Sequence, residues 1–128
     1  YQEIKEKLGI TPVEFLYKPE MMELDSYEID ETLQLARLSY IYGKGHMRLT
    51  MYANNADSSW AEKDEDLKIK EDVIEISNVS IHIIELQKPN QTEIRRIARF
   101  EYQGIHYELK GVLEENEFIK ILENLYFL

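Results

Sequence analysis

Apolar and polar positions change period along this chain, from two residues through its middle to between three and four at its end. That change divides it into strands and a closing helix. At the start, "YQEIKEKLG" sets Tyr1, Ile4 and Leu8 on one helical face, with Gly9 where a helix end favours glycine. "VEFLYK", between Pro12 and Pro19, alternates Val13, Phe15 and Tyr17 and predicts a short extended stretch. "MMELDSYEID" predicts another short strand, acidic in character.

"LQLARLSYIYGKGHMRLTMYA" predicts the first hairpin. With Lys44-Gly45 as a two-residue turn, Tyr42 faces Met47, Tyr40 faces Leu49 and Leu38 faces Met51. The opposite face then pairs Ile41 with Arg48, Ser39 with Thr50 and Arg37 with Tyr52. A slip of one residue mixes the two sets, so the pattern demands one buried face. A four-residue loop that keeps the Tyr42–Met47 pairing satisfies it equally.

"NNADSSWAEKDED" is polar, acidic and aperiodic, and predicts a loop. "LKIKEDVIEISNVSIHIIELQK" is rich in β-branched residues and predicts two strands, with breaks at Glu71-Asp72 and at Ser77-Asn78. "PNQT" is a turn. "EIRRIARFEYQGIHYELKGV" predicts the second hairpin, turning at Gln103-Gly104. There Tyr102 faces Ile105, Phe100 faces Tyr107 and Ala98 faces Leu109, while Glu101 meets His106 and Arg99 meets Glu108. Opposite charges face each other and the apolar face stays apolar. Phe118, Ile121, Leu122 and Leu125 then follow at helical spacing, with Glu114, Glu115 and Glu117 at the helix start, where the dipole favours acids. This apolar phase runs on through "ENLYFL" and predicts a helix continuing to the chain end.

Hairpins with one apolar face need a cover, and the two helices supply it. The expected fold is a single α+β domain over residues 1–128. It is one curved antiparallel sheet of about seven or eight strands in meander order, with an N-terminal and a C-terminal helix on one face.

Composition narrows the function. The net charge is −10, from 25 acids against 15 bases, which opposes binding to nucleic acid or to anionic lipid. No cysteine is present, so disulfide and thiolate chemistry are excluded. No apolar run reaches the ~20 residues of a membrane helix. The chain opens on Tyr1 instead of Met, as expected of a piece of a longer protein whose anchor or signal lies upstream.

No stretch spells out a catalytic site. His106 and Glu108 share a strand face at a metal-ligand spacing, but each already has a cross-strand partner and no third ligand accompanies them. Glu62, Asp64, Glu65 and Asp66 lack the spacing and glycine of a calcium loop. His82, among isoleucines, reads as a half-buried structural histidine. Arg95, Arg96 and Arg99 suggest an anion site, yet the pairing splits them between two faces. Tyrosine, with nine copies, is the unusual residue. Tyr40, Tyr42, Tyr102 and Tyr107 fall on apolar faces, as core side chains with hydroxyls at the rim or as the lining for an apolar ligand or peptide. With Trp60 of the acidic loop, they are the candidate ligand-binding residues. No residue is assigned to catalysis or to a metal, and no cofactor is expected.

Three stretches taken together resemble a known family. "FLYKPEMM" is similar to the aromatic-x-Pro-Glu-Gly-Met segment that opens the domain-of-unknown-function family four-three-six-seven. "LSYIYGKGHMRLTMY" resembles its Tyr-x-Tyr hairpin, and "FEYQGIHYELKGVLEENEFIKILENL" its closing Tyr-x-Leu-x-Gly strand and acidic helix. Met21, Phe100 and Glu114 stand where that family commonly has glycine, tryptophan and serine.

The resemblance implies a setting outside the cytoplasmic membrane of Gram-positive bacteria. It also implies a membrane tether through an N-terminal helix and kinship with anti-sigma regulators. The expected function is a non-catalytic sensory or interaction domain that binds a protein, peptide or envelope ligand. A carrier enclosing an apolar ligand between sheet and helices is the alternative, recognisable by a deep tyrosine-lined cavity. A hydrolase is the third reading and requires two carboxylates about 5–9 Å apart in a cleft.

Overall fold

The computed structural model describes residues 6, 13–17, 22–32, 34–43, 45–52, 67–87 and 92–127. The helix expected over residues 1–9 and the acidic loop with Trp60 lie outside the described residues, apart from a helical Glu6. The elements are β1 (Val13–Phe15), β2 (Met22–Asp30), β3 (Leu35–Tyr42), β4 (Gly45–Tyr52), β5 (Leu67–Ile76), β6 (Val79–Gln87), β7 (Ile94–Tyr102), β8 (Ile105–Gly111), α1 (Glu115–Glu123) and β9 (Leu125–Phe127).

Seven strands form one open antiparallel sheet in the order β2-β3-β4-β8-β7-β6-β5, and β1 pairs with β9 separately. The sheet is therefore two meanders, β2-β3-β4 and β5-β6-β7-β8, joined where β4 pairs with β8. Both edge strands carry a register shift, between Leu24 and Ser26 in β2 and between Lys68 and Lys70 in β5. Such bulges disrupt a free edge and hinder pairing with another chain.

The second hairpin adopts the expected register, including Phe100 opposite Tyr107 and Arg99 opposite Glu108. Gln103 and Gly104 both have positive φ, 52° and 80°, as a tight two-residue hairpin turn needs. The first hairpin corrects the expected register by two residues. Tyr40 faces Met47, Leu38 faces Leu49 and Tyr42 faces Gly45. The strands part at Tyr42 and Gly45, and Gly43 after Tyr42 has φ of 58°. Glycine adopts that conformation without strain, whereas a Lys44-Gly45 turn would demand it of lysine. Because the shift is even, the buried and exposed faces are the expected ones.

Glu71-Asp72 does not break β5, which runs through it; Ser77-Asn78 does turn the chain, with φ of 52° and 66°. Beneath α1 lie Ala36, Leu38 and Tyr40 of β3, Met47, Leu49 and Met51 of β4, and Ala98, Phe100, Tyr107 and Leu109 of the second hairpin. Phe118, Ile121 and Leu122 close this core from the helix, each fully buried. Phe100 stacks on Tyr107 at 5.0 Å, and Phe15 meets the edge of Tyr40 at 5.5 Å. β6 is buried on both faces: Ile81 and Ile83 join the main core, while Ile84 and Leu86 form a second cluster with Ile97.

The closing helix stops earlier than its periodicity predicts. The Asn124 side chain donates to the Lys120 carbonyl at 2.8 Å, and its backbone N–H donates to Ile121 O at 3.2 Å. Leu125 keeps its contact with the core, but on strand β9. β1 competes successfully for this segment: Phe15 pairs with Leu125, and Leu16 N–H donates to Asn124 O at 2.9 Å. A single extended turn keeps Leu125 facing inward, so helical spacing alone does not distinguish the two outcomes.

Candidate functional site

Between sheet and helix, the described residues line a small pocket. The described pocket there, lined by Asp72, Ile83, Glu85, Arg96, Glu115 and Phe118 among others, is about 50 Å³. That is space for a few waters, not for a sugar or a lipid chain. It does bring carboxylates together, but two cations hold them. Arg96 approaches Glu85 at 3.8 Å and Glu115 at 4.0 Å, and Lys70 approaches the same two acids at 3.9 and 3.6 Å. Arg96 also donates from Nη1 to the Leu113 carbonyl, which fixes the segment leading into α1. This is an anchoring network for the helix.

The tyrosines proposed as ligand contacts separate. Tyr40 and Tyr107 are packed into the core, 3% and 1% exposed, and Tyr102 is half-buried beside them. The Tyr42 side chain and Trp60 lie outside the described residues. Burial, and secondarily the neighbouring Tyr102, pushes the Tyr107 phenol up to about 12.

The larger opening is on the face opposite α1. It is a groove of about 600 Å³ crossing β3, β4, β8 and β7. Strand alternation places its side chains: Met47 and Leu49 point to the core, so His46 and Arg48 point the other way, and Lys110 does the same between Leu109 and Gly111. Ser39, Val112, Glu93 and Arg95 complete the lining. Ser39, Arg48, Lys110 and Ile97 occupy one row across the four strands. Three interstrand steps make that row roughly 14 Å long.

Within the row, Arg48 sits directly opposite Lys110. Neither forms an ion pair or hydrogen bond among the described residues, although acids outnumber bases 25 to 15. Elsewhere on this face the charges are matched. Arg99 donates from Nε to Glu108 at 3.0 Å, and Arg37 approaches Glu28 at 3.6 Å. His82 contacts Glu71, whose carboxyl is held below its ordinary range by Lys68 first and by His82 second.

The arginine cluster noted in the sequence thus divides three ways: Arg96 under the helix, Arg99 in a ladder with Glu108, and Arg95 in the groove. Sequence reading missed Arg48 and Lys110 as a pair. They belong to different hairpins, and only the β4–β8 junction makes them neighbours. His106 and Glu108 lie on this same face; among the described residues no group of three potential ligands gathers to hold a metal.

The chain matches the model of the family described as Domain of unknown function (DUF4367) over residues 12–125, and it belongs to that family. No curated protein matches it. A crystal structure from Bacteroides thetaiotaomicron VPI-5482 resembles it at 10% identity and a TM-score of 0.48, over 91% of this chain. The alignment covers 42% of that structure's own chain, so this chain spans less than half its length. A likeness at that level carries no functional argument.

Proposed function

We propose that this chain is a non-catalytic interaction domain, sensory in role, whose ligand rests on the sheet face opposite α1. The supporting observation is the contrast between the two faces. Beneath the helix the described core is filled and its polar groups are tied in ion pairs. Opposite it lies an open groove whose central charges are unmatched. A surface that recognises a partner needs accessible, uncompensated groups, whereas a carrier needs an internal cavity. The groove's described lining contributes one carboxylate, Glu93, where hydrolysis of a sugar would need a pair.

In this proposal the domain stands outside the cytoplasmic membrane, tethered through a segment preceding it, and passes ligand occupancy to an anti-sigma-type regulator inside. That setting is what the resemblance of the three sequence stretches to the family implies, and it is proposed on that ground alone. An enzyme reporter active only outside the cytoplasm, fused after Leu128 in the intact gene product, should be active; an inactive reporter would overturn the location. Arg48→Glu with Lys110→Glu in the native host should change transcription of the genes the regulator controls. An unchanged transcript profile, with the folded protein present at normal level, would overturn the sensory role.

A further inference from the structure

We propose that the groove takes an oligoanion, a ligand carrying two or more phosphate or carboxylate groups in series, seated across Arg48 and Lys110. The inference rests on the reading of this face as the interaction surface and names its ligand chemistry.

Like charges directly opposite each other in an antiparallel pair are destabilising. The chain has acids to spare, and it places them beside Arg37, Arg99 and Arg96. Arg48 and Lys110 pair with no acid among the described residues, and Glu93 is the one carboxylate in the described lining of their groove. A local arrangement that lowers stability without internal compensation is expected where an external group supplies the compensation.

The chemistry of the two cations agrees with an oxyanion. Arg48 offers a planar fork of donors that matches two oxygens of a phosphate or carboxylate, and Lys110 adds a compact charge beside it. Ser39 at one end of the row supplies a hydroxyl, and His46 lies two residues from Arg48 on the same face of β4. Arg95, which has a partner of its own, lines the groove from β7, and the two unpaired cations, Arg48 and Lys110, stand on neighbouring strands. A single anionic group would neutralise one of the two; a ligand with anionic groups in series engages both. The surrounding net charge of −10 repels anions at long range, so a ligand is retained only by close contact, and its affinity falls as salt rises.

The test is titration of the isotope-labelled protein with inorganic tripolyphosphate, inorganic phosphate and tricarballylate, followed by amide chemical shifts. Tripolyphosphate should bind saturably and shift amides of Ser39, Arg48 and Lys110. Inorganic phosphate should bind at least tenfold more weakly, and Arg48→Ala/Lys110→Ala should weaken tripolyphosphate at least tenfold. Saturable tricarballylate binding would show that the groove accepts carboxylates as well, and its absence would confine the ligand to phosphates; both outcomes stay within the proposal. Lys120→Ala, which removes a charge from the helix face, should leave binding unchanged. Arg48→Ala alone should unfold at the same temperature or higher, because it relieves a repulsion. Overturning results are no saturable binding of either oligoanion, equal binding of inorganic phosphate, or undiminished binding in the double variant. If these fail while Arg48→Glu/Lys110→Glu still alters transcription, the interaction surface stands and the anionic ligand falls.

Discussion

Tyr17 donates its phenolic hydrogen to Oε2 of Glu117 at 2.7 Å, joining residues 100 positions apart. The same ring lies beneath Lys120 Nζ, 4.3 Å from its centroid. With the β1–β9 pairing, these contacts clasp the helix from its N-terminal side to its end. Tyr17→Phe keeps the ring under Lys120 and removes the hydrogen bond. It should cost about 1 kcal/mol in urea denaturation. Lys120→Ala should cost about 0.5–1 kcal/mol by losing the cation over the ring. If the clasp organises the helix end, Tyr17→Ala should also speed amide exchange in residues 121–124 more than in β7 or β8.

Arg96 and the buried Glu85 form a pair whose members depend on each other. Arg96→Met leaves Glu85 with Lys70 alone and releases the Leu113 carbonyl. The expected loss is about 3 kcal/mol, because a buried carboxylate loses its nearer compensation. Arg96→Met with Glu85→Leu should recover most of that loss. A double variant as unstable as the single one would show that the charge pair is not the cause.

Gly111 ends the Tyr-x-Leu-x-Gly strand, and packing explains it. A Cβ there would stand 3.0 Å from Met47 Cγ, 3.2 Å from Met47 Cβ and 3.3 Å from the His46 carbonyl. The methionine can move, but the backbone carbonyl cannot move freely within its strand. Gly111→Val should destabilise by about 2–3 kcal/mol, from overpacking of a central strand. Gly111→Ala should be milder, and Met47→Ala should offset part of its cost in a double-variant cycle.

Tyr107 gives stability a definite dependence on alkaline pH. Its folded pKa, about 12, stands above the unfolded value near 10. The unfolded chain therefore releases this proton first. The contribution is complete below pH 10 and is lost as pH rises toward 12. Urea midpoints measured across that range should fall less steeply for Tyr107→Phe than for the parent, with the two curves parallel below it.

Much of the fold was legible because it is written in local alternation. Phe100, Tyr102, Ile105 and Tyr107 announce a register that the second hairpin adopts unchanged. The first hairpin was legible in its faces but not in its pairing. Tyr40 keeps the same side whether it meets Leu49 or Met47, and only the positive φ of Gly43 selects between them. Leu125 misled because an inward position at helical spacing is also an inward position on a short strand paired with Phe15. The groove was the least legible part: Arg48 reads as an exposed strand residue, and so does Lys110.

The sequence by itself determined which side chains go in and which go out, since the period of a strand or helix is a property of neighbouring residues. It also determined the hairpins, whose partners are close along the chain, and the family to which the chain belongs. Tertiary structure alone decided that β4 lies against β8, that β1 takes the segment after α1, and that Arg48 meets Lys110. Those contacts join segments far apart in the chain, and their selection depends on how whole hairpins share one buried face. No local pattern encodes that competition.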